Sequence, residues 1–316
     1  MATTFAGTDS VDVSGAGNYI PELWSDEVLA AYKANLVMEQ LVTRLDFHGE
    51  KGDTIRIPQP TRGSVSAKVA DNTVVLIAES NTQFSLVINN HFEYSRLIDD
   101  IAKTQALDSM RQFYTDDAGY ALAIQVDTDI NALGEGFAAS AATPTTAGTA
   151  YDEAVIGSDG STQWTDQASG NGAALTDAGI RRVIQYLDAS NVPARDRALV
   201  VSEVEKRKLL GLPRFTEQAF GGAAAADSIR NGLIGNVYGV PVYVTTNTGT
   251  DDANDSTTYD ACLMFQREAI VFVEQLGPRT QTQYKQEFLA DLFTADQLYE
   301  AGLMRPEAGV AIIVPQ

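Results

Sequence analysis

The sequence predicts an α+β fold, and three stretches of the chain carry that prediction. Residues 50–90 alternate apolar and polar side chains, as strands do. From about Ser95 to Gly134 a single apolar stripe recurs at helical steps. From Leu175 to Val273 short helical and strand patterns follow one another. The chain of 316 residues is long enough for two or three domains with a real core. An apolar fraction of 44% beside a charged fraction of 20% is a globular composition and not a disordered one.

Charge narrows the function. With 22 basic against 42 acidic side chains the net charge is -20. Such a chain has no broad basic face with which to grip nucleic acid. Copies of it also repel one another, so the few bases are expected to gather at subunit contacts. The single Cys262 excludes an internal disulfide framework and a cysteine zinc site. With only His48 and His91, a multi-histidine metal centre is excluded too. The first residues carry neither a basic residue nor an apolar run of signal-peptide length, and no stretch approaches ~18 apolar residues. The expectation is a soluble protein made in a reducing cytoplasm, with no membrane partner.

The elements follow in order. Residues 1–18 are rich in Gly, Ser, Thr and Ala and read as a flexible arm. Pro21 to about Leu45 reads as a helix, with Leu23, Trp24, Val28, Leu29, Tyr32, Leu36 and Leu41 on one face. Asp53–Pro58, Val65–Val69, Asn72–Ile77 and Gln83–Ile88 read as strands. Breaks fall at Gln59–Gly63 and Glu79–Thr82. This ribbon is too poor in apolar residues to bury much alone, so it must lie against something else, a partner subunit being one candidate. The Ser95–Gly134 helix carries an acidic face of Asp99, Asp100, Asp108, Asp116, Asp117, Asp127, Asp129 and Glu135, either solvated or paired with bases of a neighbouring copy. Residues 138–172 read as a weakly structured surface insertion.

After the insertion, Leu175–Leu187 reads as a helix capped by Thr176, and Asn191-Val192-Pro193 as a turn. Ala198–Val201 is a buried strand. Ser202-x-x-Glu205 is a capping box opening a helix through Leu210. Ala223–Leu233 is helical, and Val237–Val244 is a strand broken near Gly239. Asp251–Thr258 is a polar loop, and Ala261–Phe265, Ala269–Val273, Leu292–Met304 and Gly309–Val314 are strands. No catalytic or cofactor-binding motif appears. Gly15-Ala-Gly17 lacks the third glycine of a dinucleotide fingerprint, and Asp251, Asp252, Asn254 and Asp255 lack the glycine and closing glutamate of a calcium loop. Cys262 reads as a buried strand thiol. No cofactor is expected.

The order of arm, short helix, ribbon, long helix, α/β domain and returning strands resembles the major capsid proteins of tailed phages, with their Hong Kong 97-type fold. Local matches lie at Asn191-Val192-Pro193 with Arg197–Val201, at Gly235 to Val244 around Gly239-Val240-Pro241-Val242, and at Tyr299 to Ala308. The last of these resembles podovirus-like members. The resemblance implies an N-terminal arm at 1–20, a short helix and connection at 21–49, and the E-loop at 50–90. It places the peripheral domain with its spine helix at 91–137, the surface insertion at 138–172 and the axial domain at 173–278. Residues 279–316 would return to the peripheral domain and end in a C-terminal strand.

The implied function is a non-enzymatic shell subunit that assembles as hexamers and pentamers into an icosahedral head and encloses DNA without sequence-specific binding. The implied partners are other copies, a separate scaffolding protein, a portal and decoration or cement proteins, and the implied location is the virion capsid. Lys68 lies where some members crosslink, but no asparagine partner can be named. Inter-subunit contact candidates are Ile55, Arg56, Ile57, Arg62, Val65, Lys68, Val74, Val75 and Ile77 on the ribbon. On the helix they are Asp99, Asp108 and Asp116. Two alternatives stay open: an encapsulin-like compartment shell, and, more remotely, a soluble hydrolase using paired carboxylates.

Overall fold

A computed structural model describes residues 36–47, 52–60, 63, 65–68, 70, 73, 76, 81–99, 109–140, 150–165, 170–212, 235–252 and 258–316. The arm, most of the predicted helix from Pro21 and the predicted helix at 223–233 lie outside them. The first described elements are α1 (Met38–Leu41), β1 (Thr43–Asp46), β2 (Thr54–Pro60), β3 (Asn81–Val87) and β4 (Asn90–Asp99). Then come α2 (Ser109–Ala132), a 3₁₀ turn at Leu133–Gly136, β5 (Val155–Ile156), α3 (Asp177–Ala189), β6 (Arg197–Val201) and α4 (Glu203–Leu210). The chain closes with β7 (Asn236–Val237), β8 (Val240–Val244), β9 (Gly249–Asp252), β10 (Thr258–Gln266), β11 (Ile270–Lys285), β12 (Ala290–Leu303) and β13 (Gly309–Pro315). No described helix is long and apolar enough to cross a membrane.

A seven-stranded sheet has the order β5-β13-β10-β6-β8-β7, with β9 also paired to β10. It is covered on both faces, which is why β6, β10 and β13 are apolar almost throughout. Alternate residues divide between two cores. Leu199, Val201, Cys262, Met264, Val310, Ile312 and Val314 meet Ile180, Val183 and Leu187 of α3 and Leu209 of α4. Val200, Ala261, Leu263, Phe265, Ala311 and Ile313 join the other core with Val126 and Ile130 of α2. Thr176 caps α3 as its sequence indicates, accepting a hydrogen bond from the Gly179 N–H. Between β7 and β8, Tyr238 and Gly239 at φ 51° and 83° form a tight hairpin turn, which is where the predicted break falls.

The capping box at Ser202 does not form. Ser202 is the N-cap of α4, but its hydroxyl caps nothing. Glu205 turns away to accept a 2.8 Å hydrogen bond from the Leu175 N–H and to pair with Lys208 at 2.6 Å. Glu205 is fully buried, and the tertiary donor at the entry to α3 displaces the local one. The predicted surface insertion is also corrected. Tyr151, Ala154, Val155 and Trp164 are buried, and β5 pairs in parallel with β13. The Trp164 indole N–H donates to Asp251 at 2.6 Å, and Asp251 lies in β9 where a polar loop was expected.

A four-stranded sheet, β1-β11-β12-β4, makes the second layer system. Here β4 corrects the long-helix reading, since Ser95–Asp99 pair antiparallel with β12 from Thr294 to Ala290. The apolar spacing of Ile98 suited a helix, but ten residues of ladder with β12 decide for strand. Thr43–Leu45 likewise leave the predicted helix and pair in parallel with Val271–Val273. The true α2 has 24 residues and spans about 36 Å. Its stripe holds as far as it is described. Ala118 and Leu122 pack on Phe293 and Ala295 of β12. Val126 and Ile130 reach the core under the seven-stranded sheet. The helix therefore spans both sheets and sets their relation.

Candidate functional site

The ribbon, β2 paired antiparallel with β3, rests on its own subunit along these strands. Register places Ile55 opposite Leu86 and Ile57 opposite Phe84, on one face. Leu86 and Ile88 are buried there against Val271 and Val273, with Ile55, Phe84, Leu298 and Met304 around them. Gly302 makes this contact fit, because a Cβ at that position would fall 2.5 Å from Leu86 and 2.9 Å from Phe84. The Gln59 side-chain amide donates to the Met304 carbonyl at 3.2 Å. Glu300 accepts from the Asn89 N–H and the Asn90 amide at 3.3 and 3.1 Å. Burial raises the Glu300 pKa, although these hydrogen bonds oppose it.

Two contact candidates are already half-buried within the subunit. Ile55 packs on its own subunit, and Ile57 shares that half-buried face. Arg56 lies on the opposite face and is exposed. The breaks are corrected as well, since Gln59 and Pro60 belong to β2 and Asn81 and Thr82 to β3. Val65 to Lys68, predicted as strand, form none and are exposed. Val65 is 100% exposed and Leu76 92%, so the outer part of the ribbon shows apolar side chains to solvent. Arg62, Val74, Val75 and Ile77 lie outside the described residues, as does Asp108.

The acidic face of the long helix divides once side chains are placed. Asp116 is exposed on α2, and Asp99 is an exposed residue of β4 and not of the helix. Asp117 accepts from the Tyr94 hydroxyl at 2.8 Å, and Asp129 from that of Tyr299 at 2.6 Å. Asp127 is 2% exposed. One of its oxygens accepts from the Val37 and Met38 N–H groups at 3.1 and 2.9 Å, and the other from Asn247 at 2.9 Å. It fixes the place where the chain leaves for the N-terminal segment. Three of the predicted solvent-facing acids are therefore internal fasteners.

The family model described as phage capsid protein matches residues 39–314. The chain belongs to the phage capsid protein family. A solved structure from Mycobacterium phage Che8 aligns with a TM-score of 0.70 at 24% identity, covering 93% of this chain and 97% of that one. The capsid of Ralstonia phage GP4 gives 0.70 at 13% identity, covering 100% and 98%. The head structure of Helicobacter pylori bacteriophage KHP40 gives 0.67 at 10% identity, with 99% of each chain covered. A search of the curated proteins finds no match. The fold is the Hong Kong 97 type expected from the order of elements, and a member of this family is a structural protein, not an enzyme.

The rest of the capsid protein's surface fits that role. At the tip of the β11–β12 hairpin, Tyr284, Phe288 and Leu289 are 45%, 62% and 64% exposed. Sequence reasoning missed them because Gln281–Glu287 reads as polar, and apolar exposure is visible only once the hairpin is built. Many of its bases are neutralised internally. Arg44 pairs with Glu39 and Glu274, Arg181 with Asp177, Arg197 with Asp188 and Arg305 with Glu268. Arg56 and Lys68 of the ribbon are exposed. Among the described residues no three of His, Cys, Asp and Glu come together to hold a metal ion. Cys262 is fully buried, and burial pushes its thiol pKa up, so it stays a neutral packing group.

One charge cluster ties the sheet together. Arg279 of β11 grips Asp296 of β12 with two hydrogen bonds of 2.9 Å, one to each carboxylate oxygen, and His91 of β4 lies 3.1 Å from the same carboxylate. Hydrogen bonding from Arg279 holds the Asp296 pKa below the ordinary carboxylate value, burial opposes it, and His91 adds to the lowering. A depressed folded pKa contributes stability above the ordinary value, and that contribution is lost as pH falls through the folded one. Asp296→Asn should therefore flatten the acid limb. Melting followed by circular dichroism from about pH 5 to pH 2 should drop less steeply in the variant than in the parent.

Proposed function

We propose that this capsid protein assembles as hexamers and pentamers into the icosahedral head of a tailed phage and encloses its double-stranded DNA. The observation that carries the reading is the ribbon, fastened at its base on Gly302 and showing Val65 and Leu76 to solvent farther out. An element with so little core of its own gains burial when it lies on an adjacent copy. Each contact is then modest, and the number of contacts in a closed geometry supplies the stability. The likeness to the Ralstonia phage GP4 capsid and the Helicobacter pylori phage KHP40 head supports the same reading.

The net charge of -20 suits containment better than adhesion. An acidic lining repels phosphates over about a Debye length, ~8 Å at physiological salt, so DNA slides in without sticking. A separate scaffolding protein, a portal and decoration proteins complete the head, and the subunit is made in the host cytoplasm. The test is negative-stain microscopy of the purified protein beside a variant with Arg62→Glu and Lys68→Glu. The parent should give shells or flat capsomers, and the variant a folded subunit that assembles poorly at ordinary salt. A uniform small particle from the parent would sink the reading, normal shells from the variant would remove the basic ribbon contact, and a packaged enzyme would turn the reading to a compartment shell.

A further inference from the structure

The face of the seven-stranded sheet that carries α3 and α4 extends beyond those helices. Cys262, Met264, Ile312 and Val314 pack beneath them. Asp260 precedes Cys262 by two residues on β10, so its side chain lies on the same face. Register sets Val314 of β13 on one side of it and Thr250 of β9 on the other. Here α4 contributes only its first residues, Glu203 and Val204, and the sheet borders a cavity of about 240 Å³. Its lining offers side-chain oxygen from Glu203, Thr246, Thr248, Thr250, Asp260 and Gln316.

Asp260 is the group that lacks an answer. It is 6% exposed. One of its oxygens accepts from the Gln316 side-chain amide at 2.9 Å, and among the described residues the other accepts from nothing. A buried carboxylate is costly unless a counter-charge or further hydrogen bonds meet it. Among the described residues no base does so. Lys208 reaches this end of the sheet at the Pro315 carbonyl, but it is paired with Glu205 at 2.6 Å. Asp251 is on the opposite face, where it accepts from the Trp164 indole. The second carboxylate at the cavity, Glu203, is exposed and has no ion pair among the described residues.

We propose that this cavity binds a calcium ion, held by Asp260 and Glu203 with hydroxyl oxygens of the surrounding threonines. Two carboxylates repel an anion, although a helix starts here. The cavity is smaller than the about 300–1,000 Å³ of small-molecule sites, which suits an ion with its waters. Its donors are hard oxygens, with no imidazole or thiolate among them to favour zinc. Calcium takes about 6–8 oxygens in flexible geometry, whereas magnesium demands a near-ideal octahedron. Two charged ligands place the affinity in the weak class, about 10⁻⁴–10⁻³ M. All these ligands belong to one subunit, so the inference does not depend on the shell reading.

Thermal melting of the unmodified protein with calcium chloride tests this, with sodium chloride holding the ionic strength constant. At about 10 mM calcium the melting temperature should rise by at least about 2 °C, and the same concentration of magnesium should give less than half of that. Asp260→Asn should remove the calcium shift. Equilibrium dialysis should then show about one calcium per subunit fewer than in the parent. Glu203→Gln, at an exposed position, should at least halve the shift and carries the test if Asp260→Asn does not fold. Thr250→Val leaves the net charge at -20 and should also weaken the shift, which screening of an acidic protein would not explain. A parent without a calcium shift, an equal shift from magnesium, or an unchanged shift in both Glu203→Gln and Thr250→Val overturns the proposal.

Discussion

Replacing Val65 and Leu76 together by aspartate is expected to abolish assembly while leaving the subunit as stable as before. Both side chains are almost wholly exposed, at 100% and 92%, so the folded monomer loses no packing when they change. In a shell the same positions would bury apolar surface worth about 1.5–3 kcal/mol per side chain. The substitution would instead place two charges in a closed contact, and an unpaired buried charge costs more than the burial gained. The penalty recurs at every copy around a closed particle, so a modest loss per contact becomes a large loss of assembly. Sedimentation velocity should show the variant as subunits or capsomers where the parent forms particles, with the two melting curves superimposed. Equal particle yields would mean that the outer ribbon is not a contact.

Asp127→Ala acts in the opposite way, on the subunit and not on the contact. The variant strands the Val37 and Met38 N–H groups in a buried place and takes from the Asn247 amide one of its acceptors, leaving it Thr128. Each stranded donor costs about 1–3 kcal/mol, so a total of about 3 kcal/mol or more is expected. At roughly 2–4 °C per kcal/mol for chains of this size, the melting temperature should fall by roughly 6–12 °C. Asp127→Asn should lose less, since its amide oxygen still accepts from one side. Asn131 makes the network less forgiving, because its side-chain oxygen is already buried without a partner. A melting temperature within a degree of the parent would show that the junction at residues 37–38 opens to water at little cost.

The two substitutions separate surfaces that look alike in the sequence. Asp127 belongs to a series of acids at helical spacing, and Asp116 belongs to the same series. One is buried beneath the junction at residues 37–38, and the other faces solvent. The ribbon presents the same ambiguity. Ile55 and Val65 are both apolar residues in alternating runs, yet Ile55 packs on Leu86 and Ile88 while Val65 is exposed.

Local chemistry by itself determined a good deal. Thr176 before Asp177 specifies a helix start through its own side chain. The apolar runs at 198–201, 261–265 and 309–314 specify strands buried on both faces, since no other setting suits them. The order of such elements was enough to point to the family that the match over residues 39–314 shows. What tertiary structure alone decided are the places where a distant partner competes with a local one. Ser95–Asp99 have helical spacing but gain a ladder from β12. Glu205 could close a capping box but gains the Leu175 N–H, thirty residues away in the chain. Residues 150–165 lack regular periodicity but gain burial for Tyr151 and Trp164 against β13 and β10. Periodicity and capping are properties of a few neighbouring residues and can be read in order. Strand pairing, burial of a carboxylate and the facing of a ribbon are free-energy differences set by groups brought together from far along the chain, so they exist only once the fold does.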